Sequence, residues 1–188
     1  MKRISRTSEI ILFDAFIAAL KKLCSDDKVL FALKKRKYAL VHRLAMYLEA
    51  EVPSNLYADM MLFLENEGNP DILIHNRKGD SRLAIYAKEA YLTKKDQEEA
   101  RLYHKSQGCM TLAFAFLPEK DYFLVYRFGE AFTDYLHISK EDFHESLLKR
   151  CGNDSEETFS DDQLLLGIKA KKRRGKKESA SEAVTSGI

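Results

Sequence analysis

The stretch Pro70-Asp71-Ile72-Leu73-Ile74-His75, the turn Asn76-Arg77-Lys78-Gly79-Asp80 and the run Ser81-Arg82-Leu83-Ala84-Ile85-Tyr86-Ala87-Lys88-Glu89-Ala90-Tyr91 together decide the fold. Two apolar, strand-prone runs joined by a short glycine-containing loop are the pattern of an antiparallel hairpin. Side chains alternate across a strand, so the second arm directs Ala84, Tyr86, Lys88 and Ala90 to one face and Ile85, Ala87 and Glu89 to the other. Pairing about Lys78-Gly79 sets Asp71, at the start of the first arm, level with the far end of the second. Asp71 and Lys88 are therefore expected at one common site.

Toward the N-terminus, the run 57–64, YADMMLFL, lies between Pro53-Ser54-Asn55 and Glu67-Gly68-Asn69-Pro70 and reads as a third strand. Before it, Tyr38, Val41, Leu44, Ala45 and Leu48 recur at helical spacing up to about Glu51, and Pro53 ends that helix. An earlier helix capped by Thr7 or Ser8 turns Ile10, Phe13, Phe16, Ile17, Leu20 and Leu23 inward, and Ser25-Asp26-Asp27 breaks it. Toward the C-terminus, Thr93 and Asp96 form a capping arrangement for a polar helix over 94–107, and Gly108 provides its left-handed end. MTLAFAF and YFLVYRF, separated by Pro118-Glu119-Lys120-Asp121, read as two more strands. Ser139 with Asp142 predicts a last helix, with Phe143, Leu147 and Leu148 inward and Gly152 at its end. The order helix, three strands, helix, two strands, helix predicts an α/β fold with a central mixed sheet flanked by helices.

The chain has 188 residues, 45% hydrophobic and 32% charged, enough for one complete core. No apolar run approaches the roughly 18–20 residues that span a bilayer, so no membrane partner is expected. Asp14 interrupts the first apolar run, which argues against a secretory signal. Cys24, Cys109 and Cys151 are odd in number and outside any CxxC spacing, a pattern that fits a reducing, cytoplasmic location and suggests neither a disulfide framework nor a zinc site. The net charge of +2 conceals an asymmetry. Residues 169–177, KAKKRRGKK, carry seven basic side chains, and without residues 169–188 the chain holds 24 basic and 27 acidic residues. Attraction to a polyanion is thus expected from Lys171, Lys172, Arg173, Arg174 and their neighbours rather than from the body. Residues 169–188 have no apolar face to bury and are expected to be a disordered tail.

Pro70-Asp71, the hairpin and Tyr86-Ala87-Lys88, followed by a helix and a strand, resemble the PD-(D/E)XK nuclease superfamily over roughly residues 38–128. The resemblance implies a restriction-endonuclease-like αβββαβ core within one domain over 1–168, with Asp71 and Lys88 at the catalytic positions. In active members of that family the motif's aspartate and the acid two residues before the lysine bind magnesium, and the lysine orients or activates the attacking water. Here the acid's position is Tyr86, a neutral phenol and a poor ligand for a hard cation. The expectation is a divergent nuclease-fold protein, impaired in catalysis, that binds DNA, RNA or a protein partner. The alternative is a Mg2+- or Mn2+-dependent nuclease in which Glu65, Glu67 or Glu89 joins Asp71 as a relocated metal ligand, with Glu49 and Asp59 as further candidates. His42, four residues after Tyr38 on its helix, lies within reach of the same site. Arg101 and Lys105, four residues apart on the helix after the hairpin, are placed to touch phosphate in a nuclease-like complex.

Overall fold

A computed structural model describes residues 5–33, 36–60 and 69–153 of the chain. Helix α1 (Arg6–Asp26) is capped by Ser5, whose hydroxyl accepts from the Ser8 amide at 3.3 Å, so Thr7 and Ser8 fall inside the first turn. Its buried face is Leu12, Phe13, Phe16, Ala19, Leu20 and Leu23, while Ile10 faces outward, contrary to the expected pattern. A short 3-10 turn (Lys28–Ala32) leads to α2 (Lys37–Glu51). Helix α2 buries Leu40, Val41, Leu44 and Leu48, and leaves Tyr38 exposed. The α2 break falls at Val52, immediately before Pro53, as expected of a residue that precedes proline.

Seven strands form one mixed sheet in strict chain order: β1 (Tyr57–Met60), β2 (Ile72–His75), β3 (Ser81–Lys88), β4 (Met110–Ala115), β5 (Tyr122–Phe128), β6 (Phe132–Ser139) and β7 (Glu145–Gly152). The second half of the expected strand 57–64 lies outside the described residues. Every neighbouring pair is antiparallel except β3 and β4. These two run parallel, and α3 (Lys94–Gln107) makes the crossover between them. The β2–β3 turn uses Asn76, whose side-chain oxygen accepts from the amides of Lys78 and Asp80, and Gly79 at φ +92°, a conformation only glycine adopts without strain.

The two faces of the sheet differ in chemistry. Leu83, Ile85 and Ala87 of β3, with Leu112, Phe114, Phe123 and Val125, pack against α1 and α2 in an apolar core in which Phe16 meets Phe114 edge-on at 5.9 Å. On the α3 side the buried layer is tyrosine-rich. Tyr86 meets Tyr103 of α3 at 6.3 Å, and the Tyr135 hydroxyl donates to the Gln97 side-chain oxygen of α3 at 2.8 Å. A phenol that is buried yet reaches a polar partner fits a helix as polar as α3 better than an aliphatic side chain does.

The expected helix over 139–152 does not form. Residues 132–152 instead make the β6–β7 hairpin. Ser139 does accept from the amides of Glu141 and Asp142, at 3.1 and 3.4 Å, but as a turn, and the Ser139 amide donates to His144 across the loop. Phe143, at φ +57°, then returns its ring to the core. Asp134 explains the preference for the strand. It is fully buried on β6 and sits opposite Arg127 of β5 and Arg150 of β7. Arg127 donates to it at 2.8 Å, and Arg150 binds both its oxygens at 2.6 and 3.0 Å. A helix over 139–152 would remove Arg150 from a buried carboxylate, a costly loss in a region of low polarity.

Burial pushes the Asp134 carboxyl up, but the Arg150 and Arg127 hydrogen bonds outweigh it and hold the group below the ordinary carboxylate range. A lowered native pKa means that this stabilisation is complete above the unfolded value and is lost as pH falls through the native one. Asp134→Asn is expected to cost roughly 1.5–3 kcal/mol in urea denaturation at pH 7. The deficit relative to wild type should shrink below about pH 4. A deficit that is constant with pH would contradict the assignment.

Candidate functional site

A cleft of about 120 Å³ opens where α2, the β2–β3 hairpin and α3 converge. Asn69 and Asp71 enter it from the start of β2, Tyr86 and Lys88 from β3, Lys37 from α2, and Leu92, Asp96 and Glu99 from the α3 side. The hairpin geometry expected from the sequence is present. The Asp71 amide donates to the Ile85 carbonyl at 2.8 Å, and Ile72 pairs with Ile85, which sets Asp71 beside Tyr86 and Ala87.

Asp71 and Lys88 share the cleft, yet each has a different ion partner. Asp71 is only 8% exposed. Its Oδ2 accepts from the Ala87 amide at 2.7 Å, and its Oδ1 lies 2.7 Å from Lys37 Nζ. Lys88 Nζ lies 2.7 Å from Asp96 Oδ1. The other Asp96 oxygen accepts from the amide and hydroxyl of Thr93, so the capping box of α3 also fixes the lysine's partner. Burial raises the Asp96 carboxyl, but Lys88 and Thr93 together hold it below its ordinary value.

Tyr86 is almost fully buried, and desolvation is the main cause that drives its phenol far above the ordinary value. It is neutral at physiological pH and supplies neither an anionic ligand nor a ready nucleophile. The alternative acids are held elsewhere. Glu89 faces Arg36 at 3.4 Å, Asp59 holds His75 at 2.7 Å, and Glu49 accepts from the Ala58 amide at 3.4 Å. The Asp59 hydrogen bond raises the His75 imidazole. None of these acids lines the cleft. Glu65 and Glu67 lie outside the described residues, as do Lys171, Lys172, Arg173 and Arg174.

His42 is directed to Met60, with Nδ1 3.3 Å from its sulfur. Arg101 bridges α3 to β6 through Gln97 and Thr133, at 3.2 and 3.4 Å, while Lys105 is exposed on α3. In the sequence Asp96 is marked only as a helix cap, and neither Lys37 nor Glu99 carries a signal that singles it out. The ion pair between Lys37 and Asp71 joins residues 34 positions apart, a separation for which a single sequence carries no local signal.

Among the described residues, no group of three His, Cys, Asp or Glu side chains could hold a metal ion. No helix among them is long and apolar enough to cross a membrane. No family model, curated protein or solved structure matches the chain.

Because Asp71 satisfies the buried Ala87 amide, it has a structural role whether or not a ligand binds. Asp71→Ala is expected to lower stability by about 1–3 kcal/mol. Asp71→Asn, which retains an acceptor for that amide, should lose less. Equal stability of wild type and Asp71→Ala in chemical denaturation would contradict this role.

Proposed function

We propose that this chain is a divergent nuclease-fold module that binds nucleic acid without hydrolysing it. The succession of α2, β1, β2, β3, α3 and β4, with the last two strands parallel, supports the resemblance to a restriction-endonuclease-like αβββαβ core. The observation that carries the reading is the engagement of Asp71. One oxygen is held by a backbone amide and the other by Lys37, while Tyr86 stands where the family places a second acid.

Magnesium, which the resemblance implies, does not fit this set of described residues. Mg2+ requires oxygen ligands in near-octahedral geometry, often including one or two carboxylates. Here Asp71 already faces an ammonium group and Asp96 faces another; Glu99, the third acid lining the cleft, lies 3.6 Å from Lys95, and Glu49, Asp59 and Glu89 point away. Lys88 is held by Asp96, whose position the α3 cap fixes.

The nucleic-acid component rests on the charge distribution. Seven basic side chains within 169–177 accompany a remainder of the chain that is formally acidic, so the phosphate contacts are assigned chiefly to that segment. Fluorescence anisotropy with single- and double-stranded DNA and RNA should show binding that weakens with salt, with no cleavage in Mg2+ or Mn2+. Deleting residues 169–188 should flatten the salt slope. Cleavage that is lost in both Asp71→Ala and Lys88→Ala would overturn the reading in favour of a metal-dependent nuclease. Absence of binding to every nucleic acid would leave a protein as the partner.

A further inference from the structure

The Lys37 ammonium is more than a neighbour of Asp71. We propose that it is a built-in cation that takes the place of a divalent metal in the cleft and makes the site independent of metal ions. The proposal rests on the reading of Asp71 as the counterpart of a nuclease metal ligand.

Several observations converge on Lys37. It lies at the first position of α2, and α2 has neither a side-chain cap nor an acid in its first turn. A basic residue at a helix N-terminus is unfavourable toward the helix dipole, so local helix preference does not explain it. Asp71 does. Its carboxylate is nearly buried, and the ammonium sits 2.7 Å from the one oxygen that the Ala87 amide leaves available. The preceding residue fixes the approach: Arg36 pairs with Glu89 at the end of β3 and donates to the Phe31 carbonyl, which ties the start of α2 to the hairpin.

Tyr86 acts on the same cleft in a different way. Tyr86, two residues before Lys88, brings a buried neutral ring where a second carboxylate would be needed to bring the charge of the site to that of a divalent ion. Lys37 and Tyr86 are thus two parts of one substitution. The lysine supplies the positive charge that the metal would have brought, and the tyrosine removes the negative charge that would have required more of it.

Removing both parts should create a divalent-cation site. Purified full-length wild type, Tyr86→Asp, and the double variant Lys37→Met/Tyr86→Asp are titrated with Mn2+ alone, with binding read by electron paramagnetic resonance and by melting temperature, and folding checked by circular dichroism. Wild type should show no Mn2+-dependent rise in melting temperature. Tyr86→Asp, which keeps Lys37, should gain little. The double variant should bind Mn2+ at least about tenfold more tightly than Tyr86→Asp. Equal affinity of the single and double variants, or a folded double variant that takes up no Mn2+, would overturn the proposal. Should the double variant fail to fold, the wild-type arm decides: an Mn2+-dependent rise in melting temperature that Asp71→Asn abolishes also overturns it, and its absence supports it. The metal titrations contain no nucleic acid, so failure of nucleic-acid binding by wild type leaves their outcome intact.

Discussion

Two neighbouring strands that run parallel cannot be joined by a tight turn, and the β3–β4 pair meets that constraint with α3. The crossover places a polar helix on the sheet face opposite α1 and α2, and most features of the site follow from that placement. Strand β3 becomes buried on both sides, with Ile85 and Ala87 in the apolar core and Tyr86 under α3. The end of β3 projects Lys88 to the first turn of α3, where the Thr93–Asp96 cap already positions a carboxylate. The cleft is consequently a product of the topology and requires no long loop to form it.

Within that cleft, charge is paired at short range. Asp71 with Lys37 and Asp96 with Lys88 are each 2.7 Å apart, and each carboxylate also accepts a backbone amide. Amide donors orient the acids, and the lysines neutralise them. A site of this kind is preorganised and electrostatically quiet, unlike a metal site, in which uncompensated carboxylates repel one another until a cation arrives. The same device recurs at Asp134, where two arginines across neighbouring strands neutralise a fully buried acid and hold three strands in register.

Local signals made the centre of the fold legible. The hairpin was readable because Asn76 to Asp80 carries turn chemistry between two apolar runs, and α3 because Thr93, Asp96 and Gly108 mark both its ends. The β6–β7 hairpin was hidden for the opposite reason. Ser139 and Asp142 imitate a helix start, Phe143 and Leu147 lie at helical spacing, and the strand preference comes from Arg150 meeting Asp134 sixteen residues away. At the candidate site, Asp71 and Lys88 were legible as members of one constellation, but their true partners were not. The Lys37 contact depends on where α2 begins relative to β2, a tertiary fact, and in sequence Lys37 is one of four consecutive basic residues, 34–37, with nothing to single it out.

The central claim, that a lysine stands where a divalent ion would bind, is tested most directly by a crystal structure of the wild-type protein grown in Mn2+ with anomalous data collected. The account predicts Lys37 Nζ at ion-pair distance from Asp71 Oδ1 and no anomalous peak on that carboxylate. A manganese peak at bonding distance from Asp71, about 2.0–2.6 Å for hard oxygen-bound cations, with Lys37 displaced, would contradict it.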